Sequence, residues 1–256
     1  MLFTKDIQKG KAEELIFDGR KLSQFTSAAE VITTGVEGRD GYSANLFIND
    51  DIDGRDGGLF LDYRLPSRRI TVHYLLRAKT AELYRQAFNE LAQVFSQYRT
   101  PASIEFSDEP GWAFQGILKE FSLPAPGRLS VEGSLSFLCP SPYKYGPSIT
   151  LGPAGKIRIP TLRTPIKPDK LVVFPEDGSE FTINNLNTGK RIALLGPMKA
   201  GDHIEIEGTK ITKNNVNAAD MVDFAVTTLS GFDLHTNDIV TISSGTLEII
   251  YRERML

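Results

Sequence analysis

The sequence predicts a mainly β protein in two parts: an N-terminal α+β domain over residues 1–142, with antiparallel strands and one helix, and an all-β sandwich or jelly roll over 143–256. Three observations carry this. A single stretch, from Ala81 to Tyr98, has helical periodicity; strands with apolar and polar residues in alternation flank it; and beyond Pro142 short apolar runs recur between Gly, Pro and Asn. The length of 256 residues suits two domains of roughly 100–150 residues, each able to bury its own core.

In chain order, Leu15, Ile16 and Phe17 form a short strand ahead of an Asp18-Gly19 turn, and Val31-Ile32 and Leu46-Phe47-Ile48 are further apolar islands. The segment Arg69–Leu76 alternates clearly. Ile70, Val72, Tyr74 and Leu76 share one face and Thr71, His73 and Leu75 the other, the pattern of a half-buried strand.

The helix has Thr80 as its N-cap and Pro101 beyond its end. Tyr84, Ala87, Phe88, Leu91, Val94, Phe95 and Tyr98 follow the i, i+3, i+4 rule, opposite Glu82, Arg85, Gln86, Asn89, Glu90 and Gln93. That apolar stripe needs a sheet to pack on. The adjoining strands Ile104–Phe106, Trp112–Phe121 and Leu129–Phe137 supply one, with turns at Asp108–Gly111 and Pro124–Gly127.

The segment Phe137–Gly146 ends this pattern. Downstream, strands are expected at 156–159, 171–174, 181–184, 192–195, 203–207, 239–242 and 247–251. Residues 214–223 have room for one helical turn, although Asn214, Asn215 and Asn217 work against it.

Charge and composition exclude several functions. With 29 basic and 32 acidic residues, net −3, and no Lys/Arg run, dedicated nucleic-acid binding is not expected. The single cysteine, Cys139, forms no intrachain disulfide or thiolate cluster and reads as a buried small hydrophobe. No stretch approaches the ~20 apolar residues of a membrane span, and the N-terminus lacks an apolar signal core, so synthesis and folding in a cytosol are expected, without membrane insertion.

Candidate chemistry is sparse. Asn49–Gly54 places oxygen side chains and a glycine as a calcium loop does, but Phe60 stands where the bidentate Glu belongs, leaving a solvated turn. His73, His203 and His235 have no metal-ligand spacing. Asn187–Arg191 ends like a phosphate loop, yet Asn184 and Arg191 replace the required Gly and Ser/Thr, so a hairpin turn is expected. No nucleophile elbow or zinc-protease helix occurs, and no cofactor is expected. A scattered carboxylate site at Glu105, Asp108 and Glu109 is the weakest of the readings, since a strand end and turn are ordinarily solvated.

Several motifs in order resemble the distal tail (Dit) proteins of phages with long non-contractile tails. They are Asp53-Gly54-Arg55-Asp56-Gly57; Leu65–Val72, with Arg68 and Arg69; the helix; Ile104–Glu109 leading to Phe114-Gln115-Gly116; and Phe137–Gly146, with Cys139, Pro140, Pro142 and Tyr143. Near the end come Leu234–Ile242, Gly245 and Leu247–Arg254, with Thr236-Asn237 where the family tends to carry Gly-Asn. The resemblance implies a structural, non-enzymatic protein at the distal end of the virion tail, made in the host bacterial cytoplasm. Residues 1–142 would be the belt of a homo-hexameric ring, and 143–256 a galectin-like jelly-roll sandwich projecting from it. The ring would join the tail tube protein to the tail-associated lysin or fibre hub, with tape measure or receptor-binding proteins as further partners in some phages. The alternative reading is a carbohydrate-binding module contacting the host cell wall, whose aromatic candidates are Phe174, Phe181, Phe224, Phe232 and Tyr251.

Overall fold

The structure, a computed structural model, describes residues 13–50, 56–122 and 128–256. Asp53, Gly54, the centre of the calcium-type loop and the whole of the expected Pro124–Gly127 turn therefore lie outside the described residues. The chain divides into two compact units between Lys144 and Tyr145.

The first unit contains β1 (Leu15–Phe17), β2 (Arg20–Lys21), β3 (Glu30–Glu37), β4 (Asn45–Asn49), β5 (Leu59–Arg64), β6 (Arg68–Arg77), α1 (Ala81–Gln97), β7 (Ala102–Phe106), β8 (Ala113–Phe121) and β9 (Ser130–Cys139). Antiparallel pairing runs β2-β1-β7-β8-β9-β6-β3. β1 and β2 close over Asp18 and Gly19, whose φ values of 50° and 75° are those of a primed hairpin turn matching the twist of the strands.

β6 is central, paired with β9 from Arg68↔Cys139 to Arg77↔Ser130 and with β3 on its other side. Ile70, Val72, Tyr74 and Leu76 are buried and Thr71 and His73 half-buried, as the alternation predicts. Leu75 departs from the pattern. It too is buried, level with Ile32 of β3 in the ladder, so this strand end is covered on both faces.

α1 starts where Thr80 Oγ1 accepts a hydrogen bond from the Leu83 amide at 3.3 Å, and ends at Gln97. Its Ala87, Phe88, Leu91 and Phe95 are buried, and Phe95 sits 5.5 Å from the rings of both Phe17 and Phe25. Phe88 stacks on Phe121 of β8 at 5.0 Å. The helix thus buries one stripe against strand side chains, which supplies the stability that its length alone does not.

β8 changes partner midway. Ala113–Gly116 pair with β7 and Ile117–Phe121 with β9. Gly116 sits at the change, where a Cβ would lie 2.7 Å from Ile104 Cδ1 and 2.8 Å from Cys139 Sγ. A side chain there would have to displace the buried ends of Ile104 and Cys139 where three strands meet.

The second unit contains β10 (Lys144–Ala154, whose first residue belongs to the first unit), β11 (Lys156–Arg158), β12 (Lys170–Phe174), β13 (Gly178–Asn185), β14 (Arg191–Met198), β15 (Ile204–Glu207), β16 (Lys210–Lys213), β17 (Val216–Asn217), β18 (Ile239–Ile242) and β19 (Thr246–Met255). One sheet runs β17-β16-β15-β12-β19-β10 and a four-stranded sheet runs β11-β18-β13-β14. Both feed one core: Leu171, Val173, Ile204, Ile249 and Tyr251 from the first, Phe181, Ile183, Leu194 and Val240 from the second. This is a two-layer all-β unit.

Three of its strands escape sequence reading. β10 carries Pro147 and Pro153 and reads as turn, while β16 and β17 are short. The helical turn expected over 214–223 is displaced: Asn214 and Asn215 adopt φ of 51° and 66° and make the hairpin turn between β16 and β17, and only Ala219–Met221 coil into a 3-10 turn. Asn tolerates the left-handed region that a helix excludes.

Candidate functional site

β4 and β5 form a separate two-stranded sheet, with Leu46 opposite Tyr63 and Phe47 opposite Asp62. No residue of either strand is buried. Yet the ribbon is apolar: Leu46, Phe47, Ile48, Leu59, Phe60, Leu61 and Tyr63 are all exposed, Leu46 and Phe60 by 59% and 60%. A two-stranded ribbon is marginal in water by itself, and large apolar side chains exposed on both of its faces point to an interaction site. Arg64 closes over one face, with its guanidinium 5.4 Å from the Phe47 ring and Nε donating to Asp62 at 2.7 Å. That bond, with the Tyr63 amide, holds the Asp62 carboxyl below its ordinary range.

At the root of this hairpin a charge network ties distant segments together. Arg39, 8% exposed, donates to both carboxylate oxygens of Asp108 at 2.8 Å and to Glu109 at 3.3 Å. Burial pulls the Arg39 charge toward neutrality, but the Asp108 bond and the charges of Asp108, Asp40 and Glu109 outweigh it and raise its pKa. Lys144 Nζ donates to both oxygens of Glu109, at 2.6 and 2.8 Å. Arg68 is also buried and bonds three backbone carbonyls: Nε to Pro142, Nη1 to Gly38 and Arg39. Gly38 makes this reach possible, because at φ 74° a Cβ would lie 2.1 Å from the Arg69 carbonyl oxygen.

Among the sequence-derived positions, Arg68, Gly116, Cys139 and Pro142 come together here. Arg68 pairs with Cys139 across β6 and β9, Gly116 packs on the Cys139 sulfur, and the Pro142 carbonyl accepts from Arg68. Arg69 and Pro140 are exposed and Tyr143 half-buried. Asp56 and Gly57 lie at the other end of the hairpin, immediately before β5, with Gly57 at φ 80°. Sequence reading missed the ribbon as a unit and the cations Arg39 and Lys144, which hold Asp108 and Glu109, the carboxylates considered above as a scattered acidic site. The signal for the ribbon was present in Leu46-Phe47-Ile48 and Leu59-Phe60-Leu61, consecutive apolar residues without alternation.

Catalytic and ligand readings find little support in the geometry. No group of three His, Cys, Asp or Glu side chains gathers among the described residues. Asp108 and Glu109 are held in ion pairs, and Glu105 accepts from Ser103 Oγ at 2.8 Å. Asn187–Gly189 lie in the turn between β13 and β14, where Asn185 Oδ1 accepts from the amides of Asn187 and Thr188. Of the aromatic residues considered for sugar stacking, Phe181, Phe232 and Tyr251 are buried in the core. Phe174 packs beside His203, leaving Phe224, 73% exposed, as the most accessible ring.

Comparison with known proteins covers both units. Residues 20–139 match the family model of the phage tail protein RIFT-related domain, and residues 163–255 that of the siphovirus-type tail component C-terminal domain. The distal tail protein of Bacillus phage SPP1 is 28% identical over 194 residues, 72% of each chain. The crystal structure of SPP1 Dit, described as a paradigm of hub adsorption apparatus in phages infecting Gram-positive hosts, aligns with TM-score 0.79 at 20% identity, over 95% of this chain and 99% of that one. A chain of the phage p2 baseplate in its activated conformation with Sr aligns with TM-score 0.54 at 10% identity, over 86% of this chain and 90% of its own length.

Proposed function

The chain belongs to the distal tail protein family of phages with long non-contractile tails, structural hub components of the virion tail, and from that premise we propose that six copies close into a ring joining the tail tube to the tail-associated lysin or fibre hub. The β4–β5 ribbon is the observation that carries the ring. Summed over both faces of the ribbon, its exposed apolar residues amount to an area on the order of 700 Å², against the ~800 Å² that each partner brings to a standard interface. A monomer gains nothing from holding that surface in water.

Head-to-tail contacts between identical copies close into a ring when the rotation per subunit allows it. Such a role needs no reactive group. The carboxylates at 108 and 109 serve structure, and the protein acts by shape and contact rather than by catalysis. We read the second unit as a galectin-like sandwich, a compact body whose Phe181, Phe232 and Tyr251 are taken up by its core.

Light scattering on the purified chain after size exclusion, with negative-stain microscopy, tests this. The expected result is a hexameric mass and six-fold rings, lost in Leu46→Asp or Phe60→Asp. A wild-type chain that stays monomeric at all concentrations, alone and with its tube partner, overturns it.

A further inference from the structure

The four-stranded sheet β11-β18-β13-β14 of the second unit turns Ile157, Val240, Ile183 and Ile192 into the core, and the residues that alternate with them face outward. Register sets four of these in one row across all four strands: Arg191 of β14 lies opposite Asn184 of β13, Asn184 opposite Thr241 of β18, and Thr241 opposite Lys156 of β11. We propose that this row binds an anionic, polyhydroxylated polymer, a chain of sugars or polyols that carries phosphate. The site lies wholly within the second unit and does not depend on the ring.

Unmatched charge is the first argument. Lys156, Arg158 and Arg191 are exposed on this face, and none of them forms an ion pair among the described residues. Arg158 follows Lys156 on β11 and donates to Asn237 Oδ1 at 3.0 Å, a neutral partner that leaves its charge uncompensated. Glu180, opposite Leu195, is the one carboxylate among the outward residues of the four strands. It stands four residues along β13 from Asn184, about 13 Å at the rise of a strand. The half-buried side chains of Asn184 and Thr241 make no hydrogen bond among the described residues, so an amide and a hydroxyl stand open between the cations.

The order of the row selects the occupant. At ~4.8 Å per strand, Arg191 and Lys156 end the row about 14 Å apart, and Lys156 and Arg158 are separated by about 7 Å along β11. Anions suit these positions, since guanidinium and ammonium groups take phosphate through charge-assisted bonds. Hydroxyl groups suit the centre, because the Asn amide and the Thr hydroxyl each donate and accept. Nucleic acid fits less well: no aromatic side chain stands among the outward residues of these strands to stack a base. A protein partner also fits less well, because an interface is built around an apolar centre, whereas here Leu195 lies at the corner beside Glu180 and Ile239 beside Arg158, both off the row.

Titration calorimetry of the full-length chain with poly(glycerol phosphate) tests this. Wild type is expected to bind, and to bind more weakly as salt rises from about 0.1 to about 0.5 M and screening shortens the reach of the charges. Arg191→Glu and Lys156→Glu should each weaken binding about tenfold or more, and Thr241→Val, which keeps the strand and removes the hydroxyl, about threefold. Lys210→Glu makes the same change in net charge on exposed β16 of the other sheet, and should leave binding within about twofold of wild type. Circular dichroism and melting should match wild type in all four variants. Neutral dextran and single-stranded poly(dT) should bind more weakly than the glycerol polymer. No binding by wild type, a loss as large in Lys210→Glu as in Arg191→Glu, no loss in Thr241→Val, or poly(dT) bound as tightly overturns the site. The mass of the same wild-type sample reports separately on the ring, so either reading can fail while the other stands.

Discussion

Cys139 shows how one residue's chemistry is decided by its surroundings. Burial pushes its thiol up to about 11 from the ordinary 9.0, against a smaller opposing pull from Arg68. The folded chain thus favours the neutral thiol. The stabilisation is complete below the unfolded-state pKa and is lost as pH rises through the folded value. Native protein at pH 8 should react with a thiol reagent far more slowly than protein in urea, and urea midpoints should fall between pH 9 and 11 in the wild type relative to Cys139→Ala. Gly116 is the matching steric case: Gly116→Ala forces a methyl against Ile104 and the same sulfur, and should lower stability by about 1–3 kcal/mol in urea melts.

Elements differ in what holds them. α1 is stabilised by its cap and its packed stripe, so Thr80→Ala should cost about 1 kcal/mol, and Leu91→Ala, fully buried, about 2–5 kcal/mol. The β4–β5 ribbon is the opposite case. Its apolar residues touch solvent in the monomer, so Leu46→Asp should leave the melting temperature of the monomer nearly unchanged while abolishing assembly. That split between stability and association separates a docking surface from a core. The helix was legible in the sequence because its periodicity, cap and proline all agree. The ribbon's role was not, because an apolar run reads the same whether its own core or a neighbour covers it.

At the scale of the molecule, two hydrophobic clusters share no residue, one built from β1, β6–β9 and α1, the other from the strands beyond 156. Calorimetry should therefore resolve two transitions, with Leu91→Ala lowering one and Val240→Ala the other. The division into an α+β part and an all-β part could be read from the pattern, since loss of the helical period and a run of short strands are local properties. β10 could not, because its prolines imitate a turn. Residues of the family motifs lie at both ends of one hairpin: Arg68, Cys139 and Pro142 near its root, Asp56 and Gly57 just ahead of β5 at the other end.

The sequence by itself determined what depends on near neighbours: the helix and its ends, the alternating faces of β6 and β9, the Asp18-Gly19 hairpin and the family to which the ordered motifs point. Tertiary structure alone decided which charges meet. Arg39 and Asp108 lie 69 residues apart and Lys144 and Glu109 35 apart, and no local periodicity encodes such pairs. It also decided that one apolar hairpin stays outside every core. The physical reason is the same in both cases: period and capping act within a few residues, whereas burial is fixed only when distant strands compete for the same space.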